Sequence, residues 1–548
     1  MESWDAVVIG SGAGGLTVAV ALANAGQKVL VLEQHYLPGG WTHSFSLEGY
    51  RFSPGVHYLG QLGKGGAMRR ILEGLGVGGG LEFCELNPDG YDHVIAGDER
   101  FDIPRGKETF IARLIERFPH ERRGIKSYFR FLTGIDREFR RLNSLPGPFA
   151  TLLLPLLAPR LTFRGLRPLS RLISKYVSDP FLCTILEARA GDHGMNPKEV
   201  PCAQHIAIET HYWEGAWYPR GGGGAIPRNF IARLKEMGGE IRLRSKVEMI
   251  LVEGEGRSRR AVGVRMADGS EIRARCVVSN ADAHVTYHQL LQTTSLSPKL
   301  QKRLTKTGYS LTALSLFMAT DLDLEAAGLD SGNYWITRDT DVSRTYRYAE
   351  RADLVEAGPL EGLFTTITTL KDPSKFHDGV HTMEAFTFVS YDAFKQWEGS
   401  ATEDRPEDYE EFKRLLIERF MDLLETLIPG LRDHLLFCDL GTPLTNVHYV
   451  NAFRGNLYGT SKTRSQVGPF SFPVQTEISG LYHCGASTVA HGVMGALMSG
   501  ISAAKAILGC RARDILCHAD QGQIQLHESS WRPADNPAES TEHEMSHT

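Results

Sequence analysis

The spacing of apolar and polar positions changes period several times along the chain. Residues 6–9 form an unbroken apolar run, Ala-Val-Val-Ile, between Asp5 and Gly10, which predicts a strand buried on both faces. The turn Gly10-Ser11-Gly12-Ala13-Gly14-Gly15 follows, then an alanine-rich stretch that predicts a helix, then a second strand over 28–32 that ends in Glu33. Further on, residues 226–237 carry a helical period and stop at Gly238-Gly239. Residues 241–243, 247–252, 261–266 and 272–278 read as strands, the last two joined by the hairpin signal Asp268-Gly269. Runs at 312–318, 362–369 and 383–389, with an amphipathic helix from 408 to about 427, predict an antiparallel sheet carrying helices. Residues 70–214 read as mostly helical, and the polar tail 518–548, with Pro533 and Pro537, as disordered.

Length and charge narrow the class. A chain of 548 residues exceeds one core and implies two or three domains. With 42% hydrophobic and 23% charged residues it has the composition of a soluble globular protein, and its net charge of -5 argues against a general nucleic-acid binder. The eight cysteines show neither a CxxC pair nor metal-ligand spacing, so reduced thiols and no metal are expected. The first strand starts too close to Met1 for a signal peptide, and no apolar run reaches the ~18 residues of a membrane span. A cytoplasmic protein is the expectation.

The opening unit has the mechanics of a dinucleotide site. Gly10 permits the tight turn, Gly12 lets backbone approach a pyrophosphate, and Gly15 lets helix and strand pack closely. The helix N-terminus faces the negative charge, and Glu33 can accept hydrogen bonds from a ribose. A second glycine pair, in Pro38-Gly39-Gly40-Trp41-Thr42-His43-Ser44-Phe45, suits close passage over a flat cofactor. Near the C-terminus, Gly480-Leu481-Tyr482-His483-Cys484-Gly485-Ala486-Ser487 leads through His491 into a helix with Gly492, Ala496, Ser499 and Ala503 on one face. Two other glycine clusters are decoys. Gly74 to Gly80 follow a helix-like stretch rather than a strand and are expected to end it; Gly221 to Gly224 also lack a preceding strand. No second dinucleotide site is seen, so a nicotinamide bound in a separate domain is not expected, and the external electron donor or acceptor stays open.

These segments resemble the FAD-dependent phytoene desaturase, carotenoid isomerase and retinol saturase superfamily. The nearest resemblance is to the retinol saturases, carried by residues 52–58 (FSPGVHY), 211–222 (HYWEGAWYPRGG) and 441–446 (GTPLTN), with Arg454-Gly455 and Tyr458-Gly459. Trp217 departs from the tyrosine that saturases tend to have there. The resemblance implies an α/β fold: a discontinuous Rossmann-like FAD-binding domain of the glutathione-reductase/amine-oxidase type over 1–69, 215–284 and 441–510. A β-sheet substrate domain over 285–440 and a helical lid over 70–214 would be inserted in it. It implies FAD contacts from Gly10, Gly12, Ala13, Gly14, Gly15, Glu33, Gly39, Gly40, Trp41, Thr42, Tyr218, Gly221, Gly222, Val247, Gly485, Gly492 and Val493, with the Val247 backbone meeting adenine. The substrate implied is a lipophilic polyene isoprenoid, a retinoid or carotenoid, with saturation, desaturation and isomerisation all open.

Saturating a C=C bond needs a proton as well as a hydride, and His57, Tyr58 and His491 are the candidate donors, since a histidine titrates near neutrality. His211 and Glu209 are weaker ones, and a histidine beside a flavin is as often structural. Between Glu138 and Asp179 no acid occurs, while Arg140, Arg141, Arg160, Arg164, Arg167, Arg171 and Lys175 flank the apolar run 149–158. Over 145–175 this suits docking on an anionic membrane surface; a buried helix pair with a solvated basic face is the alternative. Two rival classes remain: an amine oxidase, and a flavin-free prenyl-protein chaperone of the Rab GDI type.

Overall fold

A computed structural model describes residues 3–143, 153–291 and 296–533 as a mixed α/β architecture built on two large sheets. The first strand, Ser3–Ile9, lies at the centre of one sheet, parallel to Val29–Leu32 on one side and Glu271–Ser279 on the other. Glu240–Arg242 extends the sheet beyond Val29–Leu32, and Leu481–His483 runs parallel to the end of Glu271–Ser279. Because both faces are covered, the central strands are apolar throughout, and alternate residues serve opposite layers. Ala6, Val8, Val29 and Val31 pack under the helices Ala13–Asn24, Ala225–Glu236 and Gly492–Leu508. Val7, Ile9, Leu30 and Leu32 pack under the antiparallel ribbon Val247–Glu253 and Arg260–Met266. The hairpin at Asp268-Gly269 closes as expected, with Gly269 at φ +84°.

The small-residue face of the C-terminal helix makes a close crossing, with the Ala496 carbonyl oxygen 3.1 Å from where a Cβ of Gly14 would be. Gly500 joins it, since a Cβ there would lie 2.5 Å from the Gly14 carbonyl oxygen and 2.6 Å from Thr17 Cβ. Ser499 accepts the Gly485 N–H at 2.8 Å and so fixes the strand-to-helix loop.

The second sheet has seven strands in the order Leu435–Gly441, Thr312–Thr320, His381–Val389, Gly362–Ile367, Asn333–Thr337, Asp92–Ala96 and Glu99–Ile103. Its last two strands come from 70–214, which is mostly helical as read but gives these strands to the sheet. They form a hairpin closed by Gly97-Asp98, with Gly97 at φ +58°, and Asp92–Ala96 pairs in parallel with Asn333–Thr337. Glu82–Glu85 is a further strand, paired with Trp217–Pro219 and, in parallel, with Gln525–His527. The predicted disorder from 518 is therefore corrected for the described part of the tail, where His527 bonds Glu82 at 2.7 Å; residues 534–548 lie outside the described residues. The strand expected over 362–369 stops at Ile367, and Thr368–Lys371 turns helical, carrying Lys371 inward.

Helices Lys107–Arg117, Arg122–Asn143, Pro180–Glu187 and Cys202–Tyr212 make a layer beside this sheet. The buried Arg189 ties the two together: it donates to Asp92 on the sheet at 3.0 Å, to Glu209 on a helix at 3.1 Å, and to the Tyr91 hydroxyl. Of the basic apolar stretch 145–175, residues 145–152 lie outside the described residues. The remainder includes the short helices Leu154–Leu157 and Pro159–Arg164, and Leu153, Leu156, Phe163 and Leu166 are exposed, Leu156 by 79% and Phe163 by 69%. No single helix among the described residues is long and apolar enough to cross a membrane.

Candidate functional site

One cavity is lined by residues from both sheets, and most of the expected cofactor residues meet there. Gly10, Gly12, Ala13, Gly14, Glu33, Gly39, Gly40, Trp41, Thr42, Val247, Gly485, Gly492 and Val493 all line it. Gly10 makes the turn at φ +90°, and the helix Ala13–Asn24 begins with no side-chain cap, so its first N–H groups are left for an anionic group. The helix Gly492–Leu508 likewise begins uncapped. Glu33 is 8% exposed; its carboxylate accepts from Ser11 N–H at 2.8 Å, Ser11 Oγ at 2.6 Å and His35 N–H at 2.9 Å. Ser11 Oγ in turn accepts the Gly39 N–H at 3.0 Å, which binds the second glycine pair to the first turn. An uncapped helix, a held carboxylate and two close-packed glycine turns fit a dinucleotide cofactor.

Four expected contacts lie off this lining. Gly15 packs helix on strand, since a Cβ there would sit 2.2 Å from the Gly10 oxygen. Tyr218, Gly221 and Gly222 hold a neighbouring loop instead: Gly221 N–H donates to Asp372 at 2.6 Å, and a Cβ on Gly222 would meet Ser53 Oγ at 2.5 Å. Their glycines serve loop packing.

Asn280 was not expected. It follows the strand Glu271–Ser279, and its amide lies 2.7 Å from where the Cβ of Gly12 or of Gly14 would be and 3.1 Å from that of Gly485. The glycines leave room for it as well as for a ligand. Its signal was available in its place at the carboxyl end of a strand beside the first one, where ligands of parallel sheets gather.

The three candidate proton donors are not brought together. His57 lines the cavity beside Phe386 and Phe364. Tyr58 points elsewhere, stacking on Tyr212 and donating to Asp192 at 3.1 Å; burial and Asp192 raise its phenol well above the usual range. His491 lies against His193 and Tyr458 with Nε2 2.8 Å from the Asp192 carbonyl. The expectation that these histidines titrate near neutrality needs correction: burial, with Lys371 or Lys462 nearby, pushes both imidazoles down to about 3. Neither His211 nor Glu209 lines the cavity: His211 accepts the Gly60 N–H, and Glu209 partners Arg189.

Sequence reasoning missed what stands behind His57. Glu384 Oε2 is 3.5 Å from His57 Nδ1, and its Oε1 accepts the Ser53 N–H at 2.6 Å. Lys371 Nζ donates to the His57 carbonyl at 2.7 Å and to Asn333. A second, much smaller chamber shares Phe386 with the cavity and is lined by Val94, Ala188, Trp335, Ile336, Leu363, Phe364 and Phe388 together with Tyr346, Thr184, Thr337, Thr345 and Thr387.

Residues 13–508 match the model of a family described as flavin containing amine oxidoreductase. All-trans-retinol 13,14-reductase of Danio rerio is 32% identical over 531 residues, covering 92% of this chain and 86% of that protein. The chloroplastic prolycopene isomerase of Arabidopsis thaliana is 30% identical over 519 residues, covering 91% and 82%. The solved oxidoreductase of Methanosarcina mazei shares the fold, with a TM-score of 0.61 at 19% identity over 91% of this chain and 99% of that one.

Proposed function

The chain belongs to the flavin containing amine oxidoreductase family, and from that membership we propose an FAD-dependent oxidoreductase that saturates a C=C bond of a lipophilic polyene isoprenoid. The observation that carries the substrate class is the apolar part of the cavity itself, where Val285, Leu290, Ala313, Phe386 and Leu457 line it with His57 and suit an apolar chain. The intact Glu33 and paired glycine turns disfavour a flavin-free chaperone.

Bound FAD supplies the hydride chemistry. The protein's part is to hold and orient. Glu33 would take the ribose hydroxyls in place of Ser11, and the N–H groups opening Ala13–Asn24 would take the pyrophosphate. The uncapped start of Gly492–Leu508 would oppose negative charge on the ring system. Phe386 and Phe364, whose centroids are 4.8 Å apart, would pack the substrate and exclude water.

Anaerobic incubation of the flavin-reduced protein with all-trans-retinol and with a carotenoid is expected to give a product heavier by two hydrogens. Similarity to the prolycopene isomerase supports the second reading, isomerisation. That reading predicts unchanged mass with altered double-bond geometry, and a loss of two hydrogens would instead mark a desaturase.

We also place the protein at an anionic membrane surface, by the exposed Leu153, Leu156, Phe163 and Leu166 beside Arg164, Arg167 and Arg171. Arg160 is excluded, because it partners the buried Glu138 at 3.0 Å. Changing Arg164, Arg167 and Arg171 to Gln is expected to lower co-sedimentation with phosphatidylserine vesicles several-fold without loss of FAD, an effect that salt should mimic in the parent. Sedimentation that ignores both changes would leave the stretch as a solvated basic face.

A further inference from the structure

Saturation consumes one proton per hydride, and the group that stores that proton must reach the substrate carbon without opening the site to water. His57 reaches the cavity with 17% of its side chain exposed, but its Nδ1 is buried with no hydrogen-bond partner. Glu384 Oε2, 3.5 Å from that nitrogen, is also buried and unpartnered. Two buried polar atoms facing each other this closely, each without another partner, are costly unless a proton lies between them.

We propose that Glu384 is the proton reservoir of the reaction and delivers its proton through His57 to the substrate. This rests on the saturase reading above. One carbon of the C=C bond takes a hydride from the reduced flavin, which an external two-electron donor restores. The other carbon takes the proton on His57 Nε2, while Nδ1 takes the Glu384 proton. The imidazole is neutral before and after, its proton moved from one nitrogen to the other, and Glu384 is left as the carboxylate; once product leaves, Nε2 takes a proton from solvent and Nδ1 returns its own to Glu384.

The surroundings suit these roles. Burial holds the His57 cation down, so the ring conducts a proton rather than storing one. Burial pushes the Glu384 carboxyl up to about 7, against the pull of Lys375, the Ser53 N–H and Lys371, so it carries a proton near neutrality. After release, Lys371 and Lys375 face the carboxylate; burial lowers these ammonium groups to about 7 and about 8. Asp92, Asp372, Arg51 and Tyr218 complete the charged and titratable groups around them. The reactive form is protonated Glu384, present below about pH 7 and lost as pH rises through it, so turnover should fall on the alkaline side.

Glu384 acts through His57, so it is a positioning and proton-storing residue, and Glu384→Gln is its test. Glutamine keeps an oxygen for the Ser53 N–H. The variant is expected to retain FAD and the KM for all-trans-retinol, to lose about 10²- to 10⁴-fold in kcat, and to lose the alkaline fall in its pH profile. His57→Ala should lose as much, and the double variant no more than either alone, as for residues acting as a unit. Normal turnover in Glu384→Gln, or a slower enzyme with the pH profile unchanged, overturns the proposal. If the variant does not fold, the parent decides: no alkaline fall and no solvent deuterium effect on turnover would overturn it equally. A parent whose product keeps the substrate's mass defeats the saturase reading and this inference with it. A heavier product from a parent whose variant is normal defeats the inference alone.

Discussion

Replacing Gly12 with valine is expected to yield a folded but colourless protein. Gly12 has an ordinary backbone, φ -59° and ψ 166°, so valine adds no conformational strain. What it removes is space. Its Cβ would lie 2.7 Å from the Asn280 amide nitrogen, which can swing aside, and its methyl groups would enter the cavity where the pyrophosphate must pass the helix N-terminus. Flavin absorbance per protein should drop by about 100-fold or to background, with far-ultraviolet circular dichroism unchanged. Normal flavin content would mean that the turn does not cradle the cofactor. Gly15 makes the contrast: its missing Cβ makes way for the Gly10 backbone, so Gly15→Ala should cost the fold as well as the colour.

The largest stability loss is expected from Arg189→Met. The guanidinium is 1% exposed and compensates two buried carboxylates. Burial pushes Asp92 upward, with Arg189 pulling against it. Burial also pushes Glu209 upward, but Arg189 and His205 outweigh it and hold that carboxyl below the usual range. Methionine fills similar volume and removes the main partner charge of both acids, leaving only Lys371 near Asp92 and His205 near Glu209, a loss of about 3–5 kcal/mol for a broken buried pair. The sign of the pH dependence follows. Stranded in the variant, the carboxylates have folded-state pKa values above their unfolded ones, so the penalty is full at neutral pH and shrinks as acid protonates them. Urea melts of parent and variant at neutral and mildly acidic pH would show it; a loss under about 1 kcal/mol, or one that grows in acid, would mean that Arg189 is not the tie between sheet and helices.

What the sequence disclosed and what it hid divide along physical lines. Strands covered on both faces read plainly, and the turn at 10–15 read plainly because backbone approach and helix packing need glycine at fixed places. Asn280 was invisible because its role comes from a strand that arrives beside the first one only in the folded chain. The hairpin at 92–103 was taken into a helical region although Gly97-Asp98 marks it; helices follow it in sequence, while its partner Asn333–Thr337 is distant. His57 was placed at the cavity by local resemblance, but the groups that face it, Glu384 on the strand His381–Val389 and Lys371 on the helix Thr368–Lys371, are distant in sequence. Burial, a tertiary property, moved its titration range.

The position of Ser3–Ile9 also sets an order of events during synthesis. This strand emerges first, yet its neighbour Glu271–Ser279 and the helix Gly492–Leu508, whose Gly500 lies against Gly14, are made far later. At the ~5–20 residues per second of translation, the earliest piece of the site waits roughly half a minute to a minute and a half for its last one. Until Ala225–Glu236 and Glu271–Ser279 are made, the apolar strand and the alanine-rich helix have only each other and Val29–Leu32 for cover. The strand at the centre of the finished sheet is thus one that stays open to a chaperone while the middle of the chain is still being made.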